Sequence, residues 1–278
     1  EAYRVGLVNK VVPAEELIEL GYREELRKKG IIRYFGGKVE FIYRGYLDGV
    51  DMAMMIHSGS LKEGKALNIN AGCNGCVTKN ILFKGVSAHA GGAPEKGVNA
   101  LYAATCGLNA VNAIRETFVD DEHIRFHPII TEAGLAVNAI PEAAKVESYV
   151  RGASYDSIYR YNKKVNLALA GAAASIGCRL ELNDRPGYFP LNNDPNMSDV
   201  VAAAMEAVAG PDSVERTDVW GTGCTDMGDV SAIMPAVHPH ASGAVGTGHG
   251  CDYYIQDKEL ACVRPAQCLA VAADMLLS

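Results

Sequence analysis

The chain has 278 residues, of which 49% are apolar and 21% charged, and a formal net charge of −7. Such a composition supports a packed core, and the acidic balance disfavours non-specific binding to nucleic acid or to an anionic membrane. No apolar run is read as approaching a membrane-spanning length. The opening Glu1-Ala-Tyr-Arg-Val shows no basic segment followed by an apolar stretch, and no initiator Met. The expectation is a cytoplasmic chain whose first residue is a processing or cloning boundary.

Eight cysteines occur, at 73, 76, 106, 178, 224, 251, 262 and 268. A chain of this length does not need covalent staples, and several of the cysteines sit inside apolar runs, so free thiols in a reducing compartment are expected. Cys73 and Cys76 form a single CxxC, which without a second pair is a weak zinc or redox signal.

In chain order, Tyr3 to Val12 reads as a strand and Glu15 to Lys29 as a helix. Val39 to Tyr43 and Val50 to Ile56 read as extended or short helical. The middle is more legible. Asn80 to Ser87 is strand-like, and Lys96 to Phe118 carries Val98, Leu101, Leu108, Val111 and Phe118 at helical spacing. Ile124 to Thr131 is strand-like, with His127-Pro128 marking an edge or a bulge. Ala144 to Arg151 alternates as a strand. Tyr155 to Ile176 is a helix with Ile158, Tyr161, Val165, Leu169, Ala172 and Ile176 on one face, and Arg179 to Leu182 is a last short strand. The order β-α-β-β-α-β is that of a ferredoxin-like unit. Beyond it come a helix after Pro195, a Gly-rich stretch from Gly221 to Gly250, and a final helix from Pro265 to about Leu277. Strands alternating with helices on both flanks predict an α/β domain with a mixed sheet, built from residues 1–78 and 189–278, with the ferredoxin-like unit, residues 79–188, inserted between.

Several residue types in this pattern suit chemistry. Glu15 and Glu16 follow an apolar strand and open a helix. Sites in α/β folds gather at such strand ends, and acids at a helix N-terminus also answer the helix dipole, so both readings stand. His57 ends an apolar run before Ser-Gly. His89 lies in a Gly-rich turn after a strand. His249 has glycine on both sides, and His238 and His240 lie close to it in sequence. One carboxylate with two imidazoles suits zinc or another borderline divalent ion. His123 and His127 read as ordinary strand-edge residues. No GxSxG elbow is present, which argues against a serine hydrolase, and Gly221-Thr-Gly-Cys-Thr-Asp lacks the phosphate-loop pattern.

Taken in order, VPAEE (12–16), GGK (36–38), DGVDMAMMIHSG (48–59), GVSAHAGGAPEKGVNAL (85–101), AVNAIP (136–141), YVRG (149–152), CTDMGDVS (224–231) and GHG (248–250) resemble the dimetal peptidases that include aminoacylases, indole-acetyl-amino-acid hydrolases and aminobenzoyl-glutamate hydrolases. The resemblance implies that Glu15 is the general base and acid, and that Glu16, His57 and His249 are metal ligands. It implies that His89, on a lid and dimerisation domain, stabilises an oxyanion in a partner's site, and that Asn138 and Arg151 hold substrate. It further implies a divalent metal, zinc or manganese, two per site in the family, and a small amide substrate whose cleavage uses metal-activated water. A homodimer through residues 79–188 follows as well.

The family draws further ligands from a segment upstream of the Glu-Glu pair, and residues 1–14 contain no His, Cys or Asp. The catalytic domain is therefore expected to be incomplete. The alternative function is a catalytically incompetent homologue that acts only as a dimerising module. A thiol-dependent enzyme using Cys73 or Cys224 is a third reading, with no sequence-adjacent partner for either thiol.

Overall fold

The structure, a computed structural model, describes residues 36–278. The expected strand at Tyr3 to Val12 and helix at Glu15 to Lys29 lie outside the described residues. Two compact units are distinguished, the first ending at Gly49 and the second spanning Val50–Ser278. In the first, α1 (Gly37–Tyr43) carries an i,i+4 pair in which Arg44 Nε donates to Glu40 Oε1 at 2.7 Å.

The second unit begins with short strands: β1 (Ala53–Met54), β2 (His57–Ser58), β3 (Leu67–Ile69) and β4 (Gly72–Cys73). The chain then enters the ferredoxin-like unit, made of β5 (Gly75–Lys84), α2 (Ala100–Ile114), β6 (Arg125–Phe126), β7 (Ile129–Glu132), β8 (Ala143–Gly152), α3 (Tyr155–Ile176) and β9 (Arg179–Tyr188). The sheet order is β6 and β7 on one edge, then β8, β5 and β9, with every pairing antiparallel. This is the expected βαββαβ arrangement.

The boundaries differ from expectation for local reasons. β5 starts at Gly75 rather than Asn80, because it runs straight out of the junction with β4. It stops at Lys84, where Gly85 lies against the Val98 carbonyl so closely that a Cβ would collide. α2 starts at Ala100 because Asn99 caps it, its Oδ1 accepting from Tyr102 N at 3.1 Å. α3 has the expected ends. Ser154 and Ser157 form a capping box, and Gly177 closes the helix at φ 81°. His127-Pro128 breaks the edge strand into β6 and β7, since proline cannot donate to β8. Along β8 residues 144, 146, 148 and 150 are buried and face the helices, so 145, 147, 149 and 151 lie on the opposite face. Phe83, Val146, Val150, Val165 and Leu169 form the centre of this core, and Gly107 lets α2 approach Leu169 and Phe83. Removing a fully buried ring such as Phe83 would cost about 3–5 kcal/mol.

The chain leaves through β10 (Leu191–Asn192), which pairs antiparallel with β4, so the two connections lie side by side. Then follow α4 (Pro195–Ala209), β11 (Val214–Arg216), β12 (Trp220–Gly221), α5 (Met227–Ser231), β13 (Ala236–Val237), β14 (His240–Ala241), β15 (Ala244–Val245), β16 (Tyr254–Ile255) and α6 (Arg264–Leu277). The order β11-β3-β14-β2 forms a mixed sheet, with β14 parallel to β2 and antiparallel to β3. Leu67 and Ile69 pack with Met197, Val201 and Met205 of α4, and with Cys268 and Ala272 of α6. The flanking part is thus α/β with a mixed sheet. One correction is needed here: Glu259–Leu277 is a 19-residue helical run long and apolar enough, by length and composition, to cross a membrane. It escapes a simple scan because Glu259, Arg264 and Asp274 interrupt it, and it packs on α4 through Cys268, whose Sγ donates to Val201 O at 3.5 Å.

Candidate active site

Glu15 and Glu16 lie outside the described residues, so the site is built from the remaining candidates. His57 opens β2, and the parallel register places His240 of β14 directly beside it. Its ring centroid is 5.5 Å from that of His240 and 6.1 Å from that of His238, and the latter two stack at 5.8 Å. The two histidines of the HPH segment therefore gather around His57. His238 is buried, and burial, then the neighbouring His57, pulls His240 below the ordinary imidazole value. His57 Nδ1 donates to Ser58 O at 2.6 Å, which leaves the Nε2 lone pair available.

His249 sits in the loop between β15 and β16, exposed, with φ 65°. A non-glycine residue there is held in a left-handed conformation, which the flanking glycines ease. The loop is closed by Asp252, whose Oδ2 accepts from Thr247 N at 3.1 Å. Its far end is anchored beside His57: Tyr253 Oη donates to Ser58 O at 3.3 Å. His57 makes its ring contacts with His238 and His240 rather than with His249.

His89 and Asn138 come together on neighbouring loops. His89 bridges Ala139, and Ala90 N donates to Asn138 O at 2.9 Å. The amides of Gly91 and Gly92 donate to His89 Nδ1 at 3.2 and 2.9 Å. That fixes the tautomer: Nδ1 accepts, so Nε2 carries the proton and projects from an exposed ring as a donor.

Arg151 is elsewhere. The His89 and Asn138 loops lie at the Lys84 and Ala143 ends of β5 and β8, whereas Arg151 pairs with Cys76 at the other end. Arg151 stands eight positions along β8 from Ala143, about 27 Å at ~3.4 Å per residue. Within one chain, then, Arg151 and His89 do not meet. Arg151 shares its face with Arg125, its register partner, and its Nε is buried with no hydrogen-bond partner among the described residues.

Residues at the junction of the two parts are singled out by the sequence only weakly or not at all. Asn74, fully buried, donates through Nδ2 to His123 O at 2.8 Å and accepts from Trp220 Nε1 at 2.9 Å. Asp229 on α5 is buried, its Oδ2 has no hydrogen-bond partner among the described residues, and burial pushes its carboxyl up to about 7. Cys224 donates to Gly75 O at 3.5 Å. The CxxC and CTDMGDVS segments carry these groups, but nothing in their spacing reveals that they adjoin.

Imidazole and carboxylate suit a borderline divalent ion. A histidine whose Nδ1–H is held by a backbone carbonyl, as in His57, is oriented as a metal ligand is. Among the described residues no three His, Cys, Asp or Glu side chains converge as a metal site. His57 and His249 supply two imidazoles, and the carboxylate assigned to complete them, Glu16, is outside the described residues.

Residues 72–183 match the family model described as the peptidase dimerisation domain. The human Xaa-Arg dipeptidase is 28% identical over 247 residues, covering 86% of this chain and 55% of that protein. One of the p-aminobenzoyl-glutamate hydrolase chains of Escherichia coli is 32% identical over 206 residues, 70% of this chain and 44% of that protein. The indole-3-acetyl-aspartic acid hydrolase of Enterobacter agglomerans is 32% identical over 155 residues, 52% and 33% respectively. Among solved structures, a dinuclear metal binding peptidase of Bacillus subtilis from the M20 family superposes with a TM-score of 0.60 at 18% identity, covering 86% of this chain and 61% of that one. The aminobenzoyl-glutamate utilization protein of Klebsiella pneumoniae gives 0.62 at 22%, covering 84% and 57%. The chain carries a peptidase dimerisation domain, has the fold of the M20 peptidases, and resembles the aminoacylase-type hydrolases to which its motifs point. It spans about half the length of the curated relatives it matches.

Proposed function

We propose that this chain is a cytoplasmic, metal-dependent amidohydrolase or peptidase that cleaves the amide bond of an N-acyl amino acid or a similar small substrate, working as a homodimer through residues 79–188. The observation that carries this reading is the presentation of His89. Its Nδ1 is held by two backbone amides, and its Nε2–H faces outward at the end of the dimerisation domain remote from Arg151. A donor placed there serves a site completed by a second copy.

In this proposal Glu16, His57 and His249 hold a divalent ion, zinc or manganese, which supplies Lewis-acid activation of water. Glu15 takes a proton from the attacking water and returns it to the leaving amine. His89 Nε2–H donates to the oxyanion formed at the amide carbonyl. Asn138 and Arg151 hold the substrate, Arg151 through the forked donors that suit a carboxylate.

Mixing of variant protomers tests the reading. Alone, with zinc or manganese, Glu15→Gln and His89→Ala should each lose about 10²-fold or more of amide hydrolysis. Mixing the two variants, so that mixed dimers carry one intact pair of residues, should restore a measurable fraction. If the unmodified chain binds metal, dimerises and yet releases no amino acid from any N-acyl substrate, the dimerising-module reading replaces this one.

A further inference from the structure

The junction between the dimerisation domain and the flanking part holds a thiol pair that the hydrolase reading does not use. Cys76 is the second residue of β5, and Cys224 lies in the loop between β12 and α5, on the other side of the junction. Cys224 Sγ donates to Gly75 O at 3.5 Å, the carbonyl directly before Cys76, and the two thiols stand near enough to shift each other's acidity. Both connections between the parts converge here. Cys76 pairs with Tyr188, the last residue of β9, and β4 pairs with β10 on the return path. Packing is close: a Cβ on Gly75 would sit 2.5 Å from Tyr188 O, and one on Gly187 would sit 2.5 Å from Cys76 Sγ.

We propose that Cys76 and Cys224 form a reversible disulfide that ties the first strand of the dimerisation domain to the flanking α/β part and fixes the angle between them. With the Cys224 thiol held at the carbonyl directly before Cys76, side-chain rotation brings the two sulfurs to the ~2.05 Å S–S bond. The surroundings set the roles. The thiol of Cys224, then the Tyr188 backbone and the Arg151 guanidinium, favour the Cys76 thiolate, against burial and the nearby Asp229. Cys224 is pushed the other way and stays the protonated partner. The thiolate is the form that attacks peroxide.

The oxidant is a peroxide. The Cys76 thiolate attacks one oxygen of hydrogen peroxide, giving the sulfenic acid and hydroxide. The Cys224 sulfur then attacks the Cys76 sulfur, forming S–S and expelling hydroxide. The Cys224 proton and one from the solvent convert the two hydroxides to water. Each sulfur gives up one electron, and the peroxide takes two. Cys73 is the competing thiol in the same segment. It is bonded to the Leu191 backbone, and burial pushes it up to about 11, so it is the poorer nucleophile.

The test needs no hydrolase assay, so it fails or succeeds independently of the function proposed above. The whole chain is treated with hydrogen peroxide, denatured, alkylated and mapped by peptide mass, with a dithiothreitol-treated control. Two of the eight thiols should become resistant together and return on reduction, in a linked pair of peptides containing Cys76 and Cys224. Cys73→Ser should keep the link, and Cys76→Ser and Cys224→Ser should abolish it. The wild-type map stands by itself if a variant fails to fold. Amide hydrogen exchange at residues 72–76 and 188–191 should slow at least tenfold, an on-the-order-of figure for a constrained opening, in the oxidised form. A link through Cys73, over-oxidation of Cys76 without a link, or no thiol loss overturns the pairing. A link that leaves exchange at the junction unchanged overturns its clamping role.

Discussion

Lys79 Nζ lies 2.6 Å from Asp184 Oδ1, reaching from β5 to the neighbouring edge strand β9 of the dimerisation domain and beneath α3. The ammonium is wholly buried, and its other hydrogen bonds go to Asn162 Oδ1 at 2.8 Å and Asn166 Oδ1 at 2.5 Å. The two asparagine amides in turn donate to Asp184 Oδ2, at 2.7 and 2.9 Å. Every member of the ring is satisfied, which is the condition for a buried charge to be tolerated. Burial alone would raise the Asp184 carboxyl, but Asn166, Lys79 and Asn162 outweigh it and hold it below the ordinary carboxylate value.

Asp184→Ala should therefore destabilise the chain by about 3–5 kcal/mol, because it strands the Lys79 ammonium in the core. Replacing both charges, as Lys79→Met with Asp184→Leu, should cost much less than the single change. Urea unfolding reads both. The sign in pH follows from the depressed carboxyl: its contribution is present above the unfolded carboxylate value and is lost as pH falls through the folded value. Equal losses in the single and double variants would show that the pair does not act as a unit.

Glycine at the junction is expected to be irreplaceable where glycine in a helix is not. At Gly228 a Cβ would collide with the Phe189 carbonyl, and at Gly75 it would meet Pro190 N at 2.6 Å and Phe189 C at 2.7 Å. Backbone cannot yield as a side-chain tip can, so Gly228→Ala and Gly75→Ala should each lower stability by more than about 3 kcal/mol. Gly171, on the exposed side of α3, has nothing within 4 Å of its missing Cβ. Gly171→Ala should raise stability by about 0.5–1 kcal/mol. Thermal unfolding of the three variants checks the contrast, and a junction alanine without cost would mean that the two connections are not packed as described.

What the sequence discloses and what it hides follow from range. α3 is readable to the residue because its periodicity, its Ser154 cap and its Gly177 stop are all local. The βαββαβ order is readable for the same reason. β9 reads as ending at Leu182, since its apolar alternation stops there. The strand runs on to Tyr188 because Asp184 points to Lys79, a partner 105 positions away, rather than to solvent. Likewise HPH reads as a neighbour of His249 in sequence. Only the parallel pairing of β2 with β14 shows that His240 stands beside His57. The Cys224–Gly75 contact, and an Asp229 Oδ2 with no partner among the described residues, are products of the same long-range register.

Asp229 gives the opposite pH signature to Asp184. Burial, the largest cause, and Asp226 push its carboxyl up to about 7, against a hydrogen bond from the Phe189 backbone. For an acid whose folded value lies above its unfolded one, the native state holds the extra proton. Its contribution is then full below the unfolded carboxylate value, declines across the interval up to about 7, and is gone above it. Asp229→Asn keeps the shape and removes the titration. It should flatten that decline and make the chain more stable than wild type in alkaline buffer, by roughly 1–3 kcal/mol. Denaturant midpoints taken across the interval for both proteins measure it. If the two curves ran parallel, Asp229 would be ionised in the folded chain throughout, and an unseen partner would have to sit on its Oδ2.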